Sequence, residues 1–283
     1  MSSALEKGLG VISFLAERPE GASVSEIAKA LDLPPSGVHR LLKELETLGY
    51  TRQSREHGDY MLTLKLATNG LAFLARTGIP DLSQPILDRL AHSTKELIRM
   101  ALFDGEELVW VGVSQGATAG LRYDPDAEHG QIVHLASASG GQAWLSGLSD
   151  DDAVASVMRQ GLERPGGAGV SAPKGVAELL QIVQTARAQG YAQNTSSFML
   201  GMAAIAVLIR HPDTDEPIGT VSIAGPSARA TPELLHSFLP ELRQASKDLA
   251  EASLAGRSFT RWYDETMGRR QAQSRTGEGR DRS

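Results

Sequence analysis

Cysteine is absent from all 283 residues. That excludes a disulfide framework and any thiolate-ligated zinc or iron–sulfur centre. Long apolar runs are missing too: the longest, residues 198–209, covers 12 positions against the ~20 needed to span a bilayer. The first nine residues hold no apolar stretch of signal-peptide length, so a soluble, cytoplasmic chain without membrane contact is expected. Catalytic signatures are lacking as well. No G-x-S-x-G elbow and no G-K-[ST] phosphate loop occurs, and Ser137 and Ser139 sit among small residues outside either pattern. The glycines at 167–169 imitate a dinucleotide fingerprint, but they follow a polar loop and Pro173 comes soon after. The seven histidines include no i,i+4 pair; His129 and His134, five apart, read as ordinary surface histidines. No metal, no cofactor and no enzyme activity is therefore expected.

What is present is ordinary globular composition, 41% hydrophobic and 22% charged, at a length that suits two domains. The formal net charge is −6, which by itself speaks against nucleic acid. Its distribution changes that reading. Residues 1–76 carry nine basic and nine acidic side chains, residues 77–256 carry 12 against 21, and residues 257–283 carry seven against four. The acidity is in the middle, and binding phosphates needs only a local basic surface.

Residues 4–17 place Leu5, Leu9, Ile12, Leu15 and Ala16 at helical spacing. Ser23, three residues before Glu26, forms a capping box that opens a second short helix through Ile27, Ala28 and Leu31. After a turn at residues 32–35, with Pro35 suited to a first helical turn, a third helix buries Val38, Leu41, Leu42, Leu45 and Leu48 and ends at Gly49. Its other face shows Ser36, Gly37, His39, Arg40, Lys43 and Thr47. Two short helices joined by a tight turn, the second opening on small and basic residues, give a helix-turn-helix layout. The weak strands 50–53 and 60–64 around a turn at His57, Gly58 and Asp59 make a wing, on which Arg52 and Arg55 can reach phosphates or the minor groove. A helix over 64–76 then leads to a boundary near residue 77.

Beyond it the pattern is α+β with a largely antiparallel sheet. Helices are expected over 81–97, 149–160 and 175–189, strands over 98–103, 108–114, 203–209 and 218–224, and a last helix from Thr231 that Pro240 breaks. Trp262 and Tyr263 are two apolar anchors in a tail expected to be largely disordered from about residue 268.

The segments Ala4-Leu5-Glu6-Lys7-Gly8-Leu9, Ser25-Glu26-Ile27-Ala28, Val38-His39-Arg40-Leu41-Leu42 and Leu48-Gly49-Tyr50 resemble the DNA-binding domain of the IclR family of bacterial transcriptional regulators. Pro35 departs from it, standing where the family often has lysine and removing one possible phosphate contact. Gly141-Gln142-Ala143-Trp144-Leu145, Ala188-Gln189-Gly190-Tyr191-Ala192, residues 201–206 and residues 221–226 resemble the family's GAF-like effector domain. The resemblance covers residues 4–256. It implies a winged helix-turn-helix domain with linker helix at 1–76, an effector-binding and oligomerisation domain at 77–256, and a tail at 257–283.

The activity implied is that of a ligand-responsive regulator, a repressor in preference to an activator. It would bind a pseudo-palindromic operator on double-stranded DNA as a homodimer or homotetramer. Ser25, Ser36, Gly37, His39, Arg40, Lys43, Arg52 and Arg55 are the residues expected at DNA. The small organic effector would meet a Ser139-Gly140-Gly141 turn, Asn194, Met202, Ala204, Ser222 and Ala224. Asn194 in place of a usual aspartate, Gln142 in place of a usual lysine, and apolar Phe198, Met202, Ala204 and Ala224 suggest a neutral or weakly polar ligand; Phe198 and Met202 would serve equally as plain core. The alternatives are a ligand-independent, architectural DNA binder and, with no catalytic constellation to support it, an enzyme on a GAF-like domain.

Overall fold

The computed structural model describes residues 3–55, 58–123 and 130–255. His57, His129, Trp262, Tyr263 and the whole tail at 257–283 lie outside the described residues. The chain divides into two compact units, Met1–Arg76 and Thr77–Ser283.

The first unit opens with α1 (Ala4–Ala16), α2 (Val24–Ala30) and α3 (Pro35–Thr47), followed by a two-stranded ribbon of β1 (Thr51–Gln53) and β2 (Tyr60–Leu62) and by α4 (Leu64–Thr77). Ser23 and Glu26 form the expected capping box, with the Ser23 amide donating to the Glu26 carboxylate at 2.8 Å. Ser3 and Glu6 form a second one at α1. Gly49, at φ +79°, follows α3 and lets the Tyr50 amide return to the Leu45 carbonyl. The core is Val11, Leu15, Ile27, Val38, Leu42 and Tyr60, each 1% exposed or less. This corrects the expected face of α1: Val11 and Leu15 pack inward, while Leu5 and Leu9 are 73% and 54% exposed. Leu64, Leu71 and Phe73 of α4 are exposed too, and no α4 residue is buried.

The second unit is a five-stranded antiparallel sheet in the order β4-β3-β7-β6-β5 with helices on both faces. Its strands are β3 (Leu97–Phe103), β4 (Leu108–Gln115), β5 (Ala192–Thr195), β6 (Met202–Arg210) and β7 (Pro217–Pro226). One face packs on α5 (Ile79–Thr94), α9 (Pro232–Ser237) and α10 (Leu239–Ala255) through Leu87, Leu90, Ile98, Ile205, Ile223 and Leu242. The other packs on α6 (Ser139–Ser146), α7 (Asp150–Gln160) and α8 (Val176–Gln189), around Trp144 stacked on Phe103 at 4.7 Å.

Three expectations need correcting. Helix α5 stops at Thr94, not 97: Lys95 adopts a left-handed conformation at φ +60°, and Glu96, 3% exposed, turns inward. Glu96 is held there by Arg229, whose Nε and Nη2 donate to its two carboxylate oxygens at 2.7 and 2.9 Å. Residues 192–195, for which no strand was expected, form edge strand β5 paired with β6. Residues 139–141, read as a turn, are the first helical turn of α6. Pro240 falls in the first turn of α10, directly after the break at Phe238 that separates it from α9.

Candidate nucleic-acid interface and ligand cavity

In the first unit the start of α3 has no side-chain cap. Pro34 is extended, Pro35 contributes no N–H, and the next residues are Ser36 and Gly37. The Gly37 and Val38 amides both donate to the Pro34 carbonyl, at 2.9 and 3.1 Å, so what this start offers a phosphate oxygen is the positive end of the helix dipole and the small residues around it. A Cβ on Gly37 would meet nothing within 4 Å, so this point of backbone is open to close approach. Ser36, His39, Arg40 and Lys43 are exposed on α3, and Ser25 is exposed on α2.

The cations here are not equivalent. Arg40 stands 3.9 Å from Glu44 with three quarters of its side chain in water, an interaction worth little. Lys43 donates to Glu46 at 2.8 Å and lies over the Tyr60 ring. The Glu46 hydrogen bond holds the Lys43 ammonium above its usual pKa and the Glu46 carboxyl below its own. Reaching a phosphate therefore costs Lys43 an existing partner, whereas Arg40 has little to give up. On the ribbon, Arg55 is exposed. Arg52, also exposed, borders an apolar groove with Leu15, Leu62 and Leu66 that no α3 residue lines.

In the second unit a small cavity lies between the sheet and the start of α6. Ser139, Gly140, Asn194, Met202, Ala204 and Ser222 line it. So do three residues not singled out from the sequence as ligand contacts: Arg99, Trp110 and Ala138. Phe198 closes one side. Gly141 and Ala224 are outside the wall. Gly141 is a packing residue, since a Cβ on it would sit 2.5 Å from the Leu135 Cα and 2.7 Å from the His134 carbonyl oxygen. As it stands the cavity has about 10 Å³ of open volume, the room of a single water.

The chemistry of the wall is set by Arg99. Its side chain rises from the middle of β3, and the residue is 5% exposed. The guanidinium lies 5.0 Å from the Trp110 ring and 5.8 Å from the Phe198 ring, and points an N–H at the Met202 sulfur. Trp110 and Phe198 meet edge to face at 5.7 Å. Alongside is the start of α6, whose N-cap residue Ala138 offers no side-chain acceptor. Asn194 is fixed by the amide network behind it, with Nδ2 donating to the Ser137 carbonyl and to Gln142 Oε1, while Gln142 donates to the Ala136 carbonyl. That spends the Asn194 donors and turns its Oδ1 into the remaining polar group. A buried guanidinium between aromatic faces at an uncapped helix start favours a negatively charged oxygen on an apolar body. The neutral ligand expected from the sequence took no account of this cation. The signal was in the sequence: Arg99 is the one charge in the seven residues of β3.

The segment leading into α6 depends on His134. Ser137 Oγ is 2.8 Å from Nδ1, the Ser137 amide donates to the same nitrogen at 3.3 Å, and the ring is buried, which corrects the expectation of a surface histidine. Burial first, and Arg164 second, hold the His134 pKa below the ordinary 6.5, partly opposed by the Gly161 and Glu163 carbonyls. The unfolded chain therefore takes up this proton at a higher pH than the folded chain, and stability falls as pH drops below about 6.5 until the folded pKa is reached. Melting temperatures between pH 7.5 and 6, above the carboxylate range, should decline in the native chain and decline less in His134→Gln. Equal slopes would rule His134 out as the group responsible.

Comparison with known proteins gives a consistent picture. Residues 71–251 match the family model described as bacterial transcriptional regulator IclR C-terminal, and residues 4–55 match the IclR helix-turn-helix domain. The chain is 27% identical over 254 residues to the HTH-type transcriptional repressor AllR of Salmonella typhimurium LT2, covering 89% of this chain and 90% of that one. Over the same length it is 26% identical to AllR of Escherichia coli K12. Among solved structures, a transcriptional regulator from Rhodococcus sp. RHA1 aligns with a TM-score of 0.70 at 26% identity, over 89% of this chain and 98% of that one. An IclR homologue from Microbacterium hydrocarbonoxydans, solved in complex with 4-hydroxybenzoate, aligns with a TM-score of 0.72 at 19% identity, over 89% of this chain and all of the other.

Proposed function

The chain belongs to the IclR family of bacterial transcriptional regulators, and from that premise we propose how its own residues read DNA and ligand. Residues 1–76 bind operator DNA in the cytoplasm. The uncapped start of α3 takes a phosphate, Ser36, His39 and Arg40 approach base edges and backbone, and Lys43 and Arg55 neutralise phosphates. Ser25 on α2 crosses the neighbouring backbone. Arg52, on the ribbon beside the apolar groove, adds a phosphate contact. Residues 77–256 bind the effector and contribute to assembly.

Dimerisation is supported by exposed apolar residues, Leu5 and Leu9 of α1 and Leu64, Leu71 and Phe73 of α4, which a monomer would leave in water. A two-fold assembly reads a two-fold operator. The AllR relatives are repressors, which supports repression as the sense of control. The chain is read as non-catalytic: ligand binding changes the operator affinity by its differential affinity for two arrangements of the protein, without turnover.

The effector is read as a carboxylate on an aromatic or other apolar body. The observation that carries this is the Arg99 guanidinium, buried between Trp110 and Phe198 at the start of α6. The cavity is the size of a water in the closed form, so the ligand must part Phe198 and Met202 from Arg99 as it enters.

The experiment is fluorescence anisotropy with DNA from upstream of the chain's own and adjacent genes, at two salt concentrations, with and without 4-hydroxybenzoate as a first probe. Selective binding that competitor DNA does not remove is the expected result, and only weak binding erased by salt would count against it. Arg40→Ala should weaken binding and reduce the salt slope by about 1. An unchanged slope would place Arg40 away from phosphate.

A further inference from the structure

We propose that the second unit carries another ligand site, a cationic groove that binds a compact polyanion with two or more negative charges, the chemistry of a phosphate ester or a polycarboxylate. This goes beyond the reading of DNA and effector and does not depend on the Arg99 cavity.

The groove exists because of two local features. Strand β5 ends its pairing at Ala192 opposite Ala206, and Gly190, at φ +75°, turns the preceding chain. Residues 207–210 of β6 therefore have no strand on that side, and the Leu208 carbonyl accepts instead from Ser246 Oγ of α10 at 2.6 Å. Alanines at 143, 186 and 250 form part of the lining, and their small side chains leave the space open. The result is a concave volume of about 400 Å³ between α6, α8, β6 and α10, within the size range of small-molecule sites.

Four cations border it, Arg187, Arg210, Arg243 and Lys247, against one lining carboxylate, Asp215. This is a positive concentration in a unit that is acidic as a whole. Two of the four are held rigidly. Arg187 donates to the Ser146 and Leu148 carbonyls at 3.1 and 2.8 Å and to Asp150 at 2.8 Å. Arg210 donates to the Asp215 carbonyl at 2.6 Å and stands 3.5 Å from the Asp215 carboxylate. These bonds have a structural purpose, and they also fix both guanidinium groups in place before any ligand arrives. Arg243 and Lys247, four residues apart on α10 and exposed, lie one turn from each other; Arg243 gives one N–H to the Gln189 carbonyl at 3.3 Å. A singly charged anion in an open groove gains little over water. An anion of two or more charges meets several cations at once, and a concave wall concentrates their field. The fixed forks of the arginines suit the paired oxygens of phosphate and carboxylate alike.

The test is isothermal titration calorimetry of the full-length protein with pyrophosphate and, in a second arm, citrate, at constant ionic strength. Phosphate binding at the DNA-reading surface is controlled for with Arg40→Ala/Lys43→Ala. One saturable site per chain is expected, retained in that control and weakened about tenfold or more in Arg243→Glu/Lys247→Glu. Arg243→Gln/Lys247→Gln gives the same comparison should charge reversal perturb folding. Tighter pyrophosphate would assign the natural ligand to phosphate esters, and tighter citrate to polycarboxylates. The proposal is overturned by no saturable binding up to about 5 mM, by equal binding in the α10 variants, or by loss of binding in the Arg40/Lys43 control.

Discussion

Arg229→Ala is expected to destabilise the second unit by about 2–4 kcal/mol, measured as a lower denaturant midpoint with an unchanged slope. The residue it abandons is Glu96, whose side chain is 4% exposed and would be left as an uncompensated buried carboxylate. The range sits below that of a fully enclosed pair because Arg229 keeps 40% of its side-chain surface in water. More than one bond is at stake. Glu96 joins the end of α5 to the start of β3, Arg229 precedes α9, and its Nη1 also donates to the Leu121 carbonyl at 2.9 Å. Gly225 is required at the same point, since a Cβ there would collide with the Glu96 carboxylate. The double change Glu96→Gln/Arg229→Met should cost less than Arg229→Ala alone, because it removes the stranded charge together with its partner. A single-variant loss below about 1 kcal/mol would show that Glu96 finds water once Arg229 is gone.

Arg99→Leu should remove the preference for a charged ligand. Taking one member from a desolvated ion pair costs about 2–4 kcal/mol, or roughly 30- to 1,000-fold in affinity. The useful quantity is a ratio, that of 4-hydroxybenzoate to its neutral amide. It should favour the acid in the native chain and fall toward unity in Arg99→Leu. A ratio that the substitution leaves untouched would mean that the start of α6, and not Arg99, holds the charge. Because the ratio compares two ligands on the same variant, a general loosening of the cavity cancels from it.

The sequence made local structure legible. The Ser23–Glu26 cap, the apolar face of α3 from Val38 to Leu45, Gly49 after it and the strands β3, β4, β6 and β7 all depend on neighbours within a few positions, and they were found where periodicity and capping put them; Leu48, expected on that buried face, is instead 58% exposed. What escaped was set by distant partners. Lys95 goes left-handed at the end of α5 because Glu96 must reach Arg229, 133 residues away. Leu5 and Leu9 fit a helical stripe as well as Val11 and Leu15 do, and only packing against α3 chooses between them. Gly141 resembled a ligand-binding glycine, yet it is required by the backbone of residues 134–135 passing over it. In the cavity, six of the residues anticipated do share one wall. Arg99 and Trp110 join them through the β3–β4 register, which shifts between Met100 and Ala101, and no spacing rule reports such an irregularity. Phe198 arrives from 99 residues further along the chain.

The small size of the cavity has a consequence in time. A site with room for one water admits nothing larger until Phe198 moves, and Phe198 is gripped from outside by Arg164, whose guanidinium lies 3.9 Å from the ring and donates to the Phe198 carbonyl at 3.0 Å. Phe198 then acts as a gate, and association should run below the rate of entry into an open site, as binding that needs a conformational change does. A ligand once admitted leaves as slowly as that gate opens. The response to a pulse of effector would accordingly lag its arrival and outlast its disappearance, giving the switch a short memory.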